Sequence, residues 1–242
     1  MILAVDAGNS RVKWATHDGR AFVHEGRVAN AELASLASQW AGIPAPSAIV
    51  IANVAGDAVG KELAALAQRW PIAPRWAASS QSQCGVINGY RDPTQLGVDR
   101  WAALIGARSL STRACVVVNA GTAMTVDALG ASGEFLGGFI APGFDLMRES
   151  LAANTALLTS ERGEFAFFPR TTRDAIATGS VQSLCGAVER MHSALLDDGQ
   201  EDADIVISGG TGELLARHLG RPAKFVEKLV LLGLVQIGRE KP

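Results

Sequence analysis

A short motif occurs twice in this chain, and its second copy constrains the fold more than any other feature. Asp6-Ala-Gly-Asn9 follows the apolar run Ile2–Val5, and Asn119-Ala-Gly-Thr122 follows the apolar run Cys115–Val118. In both places two further strand-like segments come next, separated by a turn, and these turns fall at similar distances from the motif. The repeat predicts two related lobes, each opening on a buried strand and a three-strand antiparallel meander.

The rest of the chain shows alternating helical and strand-like patterns. Continuous apolar runs at 47–53 and 205–207 are typical of buried parallel strands, and 72–77 is a shorter candidate. An irregular polar loop is expected at 159–173. Helical patterns cover 31–40, 57–70, 96–110, 144–153, 174–196, 213–219 and the apolar tail at 229–237. We therefore predict an α/β protein of mixed sheets flanked by helices, with lobes of residues 1–110 and 111–242.

Charge and composition exclude several classes of function. With 22 Lys and Arg against 24 Asp and Glu, the chain has no basic excess for neutralising nucleic-acid phosphates. No apolar run reaches the ~20 residues that span a bilayer, and the N-terminus lacks the basic region of a signal peptide. The three cysteines stand far apart, in no metal-binding or redox spacing. We expect a cytoplasmic protein that binds neither nucleic acid nor membrane.

Three glycine-containing turns, at 6–10, 119–122 and 208–212, each follow an apolar strand. Successive N–H groups in such turns form concavities that bind anions such as phosphate. Lys13 lies within reach of the first turn, and the Asp6 carboxylate is a suitable oxygen ligand for Mg²⁺. The alternative is that each glycine serves only to form a hairpin turn.

Two other glycine-containing segments resemble nucleotide-binding motifs but lack residues that those motifs require. Residues 56–62 resemble a P-loop but have Glu62 where Ser or Thr would bind Mg²⁺. Gly209–Gly212 lacks the third glycine of a dinucleotide fingerprint, since Leu215 stands there.

The segment 88–102 combines an ordered loop with the start of a helix. Asn88-Gly89 and Asp92-Pro93 are turn formers, and the helical pattern begins at Leu96. Asp99 and Arg100 therefore lie in the first helical turn, where the helix dipole favours an ionised carboxylate. They are candidate functional residues, although Asp99 as a capping acid and Arg100 as a solvated surface residue explain the pattern equally well.

Taken together, four segments resemble type III pantothenate kinase in order and spacing over nearly the whole chain. They are Asp6–Lys13, Tyr90–Arg100, Asn119–Asp127 and Gly137–Gly143. The resemblance implies two ribonuclease-H-like lobes of the actin-like ATPase superfamily, which includes sugar kinases and heat-shock protein 70. It also implies a homodimer that phosphorylates pantothenate to 4'-phosphopantothenate with ATP, the first step of coenzyme A biosynthesis. Mg²⁺ and a monovalent cation (K⁺ or NH₄⁺) would be required.

The resemblance assigns roles to particular residues. Asp99 would be the general base that accepts the proton of the pantothenate hydroxyl, and Asp6 would lie near Mg²⁺. The implied ATP-binding residues are Asp6, Ala7, Gly8, Asn9, Ser10, Arg11, Val12, Lys13 and Thr122, with Gly209 and Gly210 near the adenosine. The implied pantothenate-binding residues are Tyr90, Gly97, Val98, Asp99, Arg100 and Thr172.

One residue departs from the family pattern. Asn119 stands where many members have an aspartate that binds the monovalent cation. Asparagine keeps an oxygen ligand but loses the charge, so we expect a weaker dependence on K⁺. Asp127 is eight residues away along the chain and is not expected to replace it.

Two other functions remain as alternatives. Another kinase or a phosphatase of the same superfamily is one, although the Tyr90–Arg100 segment argues against it. The other is a non-catalytic regulator, because some relatives are described as accessory factors for a virulence regulator. A regulator has no need of Asp6, Lys13 and Asp99 together, and all three are present.

Overall fold

The computed structural model describes residues 1–155, 158, 161–200 and 202–240, which form two compact units. Unit 1 combines Met1–Ser111 with the C-terminal segment from Lys228, and unit 2 is Thr112–Glu227. The lobes expected from the sequence, 1–110 and 111–242, differ from these units in the C-terminal segment. That segment packs onto unit 1, as described below.

Unit 1 contains a mixed five-stranded sheet in which the meander lies on one side of the first strand. The strand order is β3-β2-β1-β4-β5, with β1, β2 and β3 antiparallel and with β4 and β5 parallel to β1. The strands are β1 (Ile2–Ala7), β2 (Arg11–His17), β3 (Phe22–Ala29), β4 (Ala48–Asn53) and β5 (Arg75–Trp76), and a short hairpin follows, β6 (Ser82–Gln83) with β7 (Val86–Asn88).

Four α-helices belong to unit 1. They are α1 (Leu36–Gln39), α2 (Asp57–Ala67), α3 (Val98–Leu110) and the C-terminal α7 (Leu229–Arg239). The helix expected at 31–40 is instead a 3₁₀ segment, Asn30–Ser35, followed by the single turn of α1. Glu32 has φ −119° inside that segment and Ala29 offers no side-chain cap, so a continuous α-helix does not form.

The two faces of β1 have different partners because side chains alternate along a strand. Leu3, Val5 and Ala7 enter a core that also contains Trp40 and Leu63. Ile2, Ala4 and Asp6 point to the opposite face. Helix α7 covers that face, packing against β1, β4 and α3. Asp6 is therefore carried by the sheet to a half-buried position on the side of α3 and α7.

Helices α3 and α7 pack closely because glycines lie where they cross. A Cβ added to Gly233 would overlap the carbonyl oxygen of Ala102 and lie 2.6 Å from its carbonyl carbon. A Cβ on Gly106 would overlap the Leu229 carbonyl oxygen in the same way. Only glycine permits this backbone approach. The crossing fixes α3, whose first turn carries Asp99.

Unit 2 repeats the sheet of unit 1 strand for strand. Its strand order is β12-β11-β8-β9-β10, with an antiparallel meander β8-β9-β10 and with β11 and β12 parallel to β8. The strands are β8 (Ala114–Ala120), β9 (Ala123–Leu129), β10 (Glu134–Pro142), β11 (Ala203–Ser208) and β12 (Lys224–Phe225), and the helices are α4 (Phe144–Asn154), α5 (Thr172–Asp197) and α6 (Gly212–His218).

This correspondence confirms the fold class that the repeated motif predicts. In both units the meander strands lie on one side of the motif-bearing strand and the parallel strands on the other. Of the irregular loop expected at 159–173, residues 159 and 160 lie outside the described part of the chain, and 161–170 have no regular secondary structure. The prediction is wrong at Thr172 and Arg173, which already belong to α5. In the residues that the structure describes, no helix is long and apolar enough to cross a membrane.

Candidate active site

Asp6 and Lys13 form the charged end of the first β-hairpin. They are directly opposed in the antiparallel register of β1 and β2. Opposed residues of a strand pair project from the same face, with Cβ atoms about 5 Å apart. The hairpin therefore places a carboxylate and an ammonium group side by side next to the turn at Gly8–Ser10.

The Asp6 carboxyl is electrostatically unusual. Burial raises the pKa of Asp6 from 3.8 to about 6, Lys13 opposes that rise, and the charge of Asp99 adds to it. Asp6 and Asp99 are thus close enough to interact, although they are 93 positions apart in the sequence. Two carboxylates that repel each other form a site where a cation is stabilised.

Asp6 and Asp99 could bind a divalent cation whose remaining ligands are water and substrate phosphates. Among the described residues, no three His, Cys, Asp or Glu side chains are grouped so that they could hold a metal by themselves. Mg²⁺ is typically bound by one or two carboxylates together with water and substrate phosphates. Asp6 could supply a carboxylate ligand of this kind.

The turn between β1 and β2 is held by a residue that the sequence analysis did not single out. Gly8 N–H donates to the Arg11 carbonyl (3.1 Å) and closes the turn. The Asn30 side-chain amide donates to the carbonyls of Gly8 and Asn9, at 2.9 Å each. Asn30 follows β3, which is adjacent to β2 in the sheet, and it lies 22 and 21 residues after Gly8 and Asn9 in the chain. No local sequence pattern therefore reveals the contact.

Asn88 organises the loop that precedes α3. Its side chain is buried, it donates to the Pro93 carbonyl (3.2 Å), and its oxygen accepts the Tyr90 N–H (3.0 Å). Asp92 caps the following 3₁₀ turn by accepting the Thr94 N–H (3.0 Å). These bonds fix the backbone of the loop at Tyr90 and at the 3₁₀ turn after it. In the sequence, Asn88 and Asp92 are recognisable only as turn formers.

Arg100 is a buried residue rather than a solvated one. It is 4% exposed, its guanidinium donates to the Tyr90 hydroxyl (3.0 Å), and its central carbon lies 5.8 Å from the centre of the Tyr90 ring. The interpretation of Arg100 as a surface residue is therefore wrong. A buried guanidinium stacked on a phenol is held in one orientation, which suits recognition of a carboxylate or phosphoryl oxygen.

Asp99 lies one residue earlier, in the first turn of α3. Its Oδ1 accepts the Arg100 N–H at 2.9 Å. A Cβ on Gly97 would lie 2.7 Å from that oxygen, so glycine at the N-cap leaves room for the carboxylate. Gly97 and Val98 thus contribute backbone shape to the site, while Asp99, Arg100 and Tyr90 contribute the chemical groups.

In unit 2 the other two glycine-containing turns lie against each other. Thr211 donates to the Ala120 carbonyl through both its N–H and its hydroxyl, at 3.1 Å each. Gly209 has φ +98°, and a Cβ there would overlap the backbone of Ala120. Gly210 is exposed, and a Cβ there would meet nothing within 4 Å. Thr122 is exposed on the neighbouring turn, where its carbonyl accepts the Gly143 N–H (2.9 Å).

Asn119 is the counterpart of Asp6 in unit 2. It is opposed by Thr125 on β9 and by Ser208 on β11. The three side chains therefore form a row of neutral oxygen atoms across one face of the sheet. This row could offer a cation oxygen ligands without a formal negative charge.

Thr172 lies elsewhere in unit 2, as the first residue of α5. The preceding Thr171 caps the helix by accepting the Asp174 N–H (3.2 Å). Thr172 is exposed and lines an open, mainly apolar cavity of about 800 Å³ between α4 and α5. Leu146 and Leu151 of α4, which are 40% and 41% exposed, line the same cavity.

Solved structures of low sequence identity share this fold. A protein from Campylobacter jejuni assigned to the Baf family of transcriptional activators superposes with a TM-score of 0.62 and 21% identity, covering 97% of this chain and 96% of the other. MreB 5 of Spiroplasma citri bound to AMPPNP superposes with a TM-score of 0.54 and 9% identity, covering 98% and 96%. MreB has the actin-like ATPase fold, so these likenesses confirm the predicted fold.

Sequence comparison identifies the family. The profile of type III pantothenate kinase matches residues 2–194. The type III pantothenate kinase of Nitrosospira multiformis is 44% identical over 240 residues, covering 99% of this chain and 92% of the relative. A match of this extent, over both units and the turns described above, leads to one assignment: the chain belongs to the type III pantothenate kinase family.

Proposed function

We infer that this protein transfers the γ-phosphoryl group of ATP to pantothenate, giving 4'-phosphopantothenate and ADP in the first step of coenzyme A biosynthesis. The family assignment supports the reaction. We locate the reaction at the cluster of Asp6, Lys13 and Asp99 in unit 1, because the pKa of the Asp6 carboxyl is raised there and a glycine-containing turn lies beside it.

Asp99 is the general base in this proposal. Phosphoryl transfer depends mainly on positioning and on charge stabilisation, so the base has to orient the hydroxyl and accept its proton late in the reaction. The pantothenate hydroxyl oxygen bonds to the γ-phosphorus, the bond from that phosphorus to the β–γ bridging oxygen breaks, and Asp99 takes the hydroxyl proton.

The remaining site residues bind the two substrates. In unit 1, the turn from Asp6 to Lys13 would bind the ATP phosphates. In unit 2, Thr122 would also contact phosphate, and Gly209 and Gly210 would lie near the adenosine. In unit 1, Tyr90 and Gly97–Arg100 would bind pantothenate, and the family resemblance assigns Thr172 of unit 2 to the same substrate. The buried Arg100 guanidinium, stacked on Tyr90, is suited to a substrate carboxylate or a phosphoryl oxygen.

Two cations complete the proposal. Asp6 would hold Mg²⁺, partly through water, and the ion when bound would neutralise charge on the phosphates. Asn119, with Thr125 and Ser208 beside it, would hold a monovalent cation, K⁺ or NH₄⁺. Because all three side chains are neutral, we expect that cation to bind more weakly than it would beside an aspartate.

We propose further that the protein is a cytoplasmic homodimer. The cavity between α4 and α5 exposes Leu146 and Leu151, and Ile140 of β10 is 63% exposed. Exposed apolar surface of this kind is typical of protein–protein interaction sites. Light scattering on wild type and Leu151→Glu tests this: the variant should be monomeric, and a monomeric wild type would contradict the proposal.

The two lobes predicted from the repeated motif can be compared with the two compact units. We propose that the two related lobes correspond to the two compact units, with α7 completing the first lobe although it comes last in the chain.

The deciding experiment compares pantothenate-dependent ADP formation by wild type, Asp99→Asn and Asp57→Asn. Asp57 is the matched control because it is also an aspartate in the first turn of a helix of unit 1. Loss of a general base lowers turnover by about 100-fold or more, so Asp99→Asn should lose that much while remaining folded, and Asp57→Asn should be unaffected.

The other outcomes separate the alternatives. Equal activity in wild type and Asp99→Asn would remove the general-base role. No pantothenate-dependent turnover by the wild type, with Mg²⁺ and K⁺ or NH₄⁺ supplied, would favour another substrate.

A further inference from the structure

Three successive backbone carbonyls in the first hairpin turn are bonded to a single residue, Asn30. Its side-chain Nδ2 donates to the carbonyls of Gly8 and Asn9, at 2.9 Å each. Its backbone N–H donates to the Ser10 carbonyl at 3.3 Å. All three carbonyls of the turn therefore point toward one side, where β3 ends.

The orientation of the carbonyls determines the orientation of the N–H groups. In a trans peptide the C=O of one residue and the N–H of the next point in opposite directions, and the described chain contains no cis peptide bond. Fixing the carbonyls of Gly8, Asn9 and Ser10 therefore directs the N–H groups of Asn9, Ser10 and Arg11 away from Asn30. Successive N–H groups on one side of a turn form a concavity for an anion.

The Asn30 amide makes these bonds while leaving its own oxygen unsatisfied. Oδ1 is buried and has no hydrogen-bond partner. A flipped amide would place that oxygen against the Gly8 and Asn9 carbonyls and would lose both bonds. Buried acceptors without a partner are unfavourable and rare, so this one calls for an explanation in function.

We propose that Asn30 is a positioning residue for the ATP phosphates, which holds the Gly8–Ser10 turn with its N–H groups directed at them. The inference rests on the proposed function in taking the anion to be the phosphates of ATP. Asn30 itself lies on the opposite side of the turn and does not touch the nucleotide. Its loss should weaken phosphate binding without affecting the pantothenate site.

The test uses Asn30→Ala, which removes the side-chain donors, and Asn30→Ser, which retains one. Ser47→Ala is the control, since it removes another side-chain bond to a backbone carbonyl (Ser47 Oγ to Met1, 2.9 Å) at the other end of β1. We expect the KM for ATP to rise about tenfold in Asn30→Ala, less in Asn30→Ser and not in Ser47→Ala. The KM for pantothenate should stay within twofold of wild type in all three variants.

A purely structural role would give a different pattern. If Asn30→Ala raised the two KM values equally, or left the KM for ATP unchanged, the positioning role would be refuted. If Asn30→Ala does not fold, the same comparison with Asn30→Ser decides.

Calorimetric titration with MgATP and with adenosine, without pantothenate, separates this inference from the proposed reaction. Weaker binding of MgATP with unchanged binding of adenosine supports the role of Asn30 even if pantothenate is not the acceptor. Equal weakening of both ligands refutes it.

Discussion

Replacement of Gly233 by alanine should destabilise unit 1 and slow catalysis together. The added Cβ would lie 2.6 Å from the carbonyl carbon of Ala102 and would overlap the carbonyl oxygen, whereas ordinary contacts begin at 3.4 Å. The obstructing atoms are backbone, so no side-chain rotation can relieve the overlap. Helices α3 and α7 would have to separate by about 1 Å, and close-packed interiors resist such a shift.

The size of the effect follows from known costs of overpacking. Extra methyl groups in a well-packed interior destabilise proteins by about 1–3 kcal/mol. For a chain of this length, about 2 kcal/mol corresponds to a decrease in Tm of roughly 4–8 °C. Because α3 carries Asp99, the proposed general base, its displacement should also lower kcat, and a shift of about 1 Å in a catalytic group can cost on the order of 100-fold.

Gly186→Ala is the matched control, measured by urea unfolding, thermal melting and ADP formation. Gly186 also lies in a helix, α5, but a Cβ there would meet nothing within 4 Å. Alanine at an open helical position stabilises by up to about 1 kcal/mol relative to glycine. A Gly233→Ala protein as stable and active as wild type would refute the inferred close crossing of α3 and α7.

Three further predictions concern the site itself. Because burial raises the pKa of Asp6 to about 6, the folded state binds more protons than the unfolded state between pH 4 and 6, and stability falls as pH rises through that window. Asp6→Asn should therefore abolish turnover yet raise the Tm at pH 7.5 and not at pH 4, and an unchanged Tm at pH 7.5 would contradict the burial. Activity in KCl should exceed that in choline chloride only modestly, and Asn119→Asp should increase the ratio; a steep K⁺ requirement in the wild type would refute the argument from charge. Tyr90→Phe removes the hydroxyl that accepts from Arg100 and should raise the KM for pantothenate about five- to tenfold, with the KM for ATP as the internal control, and equal changes in both would argue against a specific role.

The architecture could be predicted from the sequence because the motif that follows the first strand of each unit occurs twice. The Asp6 and Asn119 motifs each follow a buried strand, and the two sheets have corresponding strand orders. Apolar periodicity also located most helices within a few residues. It failed at 31–40, where Glu32 departs from helical geometry, because hydrophobic spacing carries no information about φ and ψ at one residue.

The details of the site were less accessible because they depend on contacts between distant segments. The bonds from Asn30 to Gly8 and Asn9 join strands that are adjacent only after the sheet has formed. The burial of Arg100 depends on Tyr90 and on the loop that Asn88 holds. A charged residue in a first helical turn looks the same in sequence whether it is solvated or stacked beneath an aromatic ring.

The discontinuity of unit 1 has a consequence for synthesis on the ribosome. Strand β1 is translated before unit 2, whereas α7, which covers one face of β1, is translated after unit 2. During most of elongation the nascent chain therefore presents the Ile2, Ala4 and Asp6 face of β1 and the inner side of α3 without their partner helix. Unit 2 is translated in one uninterrupted stretch, whereas unit 1 can be completed only after α7 has left the ribosome. Helix α3 therefore lacks its packing partner until α7 has been made, and the sheet of unit 1 stays exposed to misassembly for longer than in a protein whose domains are contiguous.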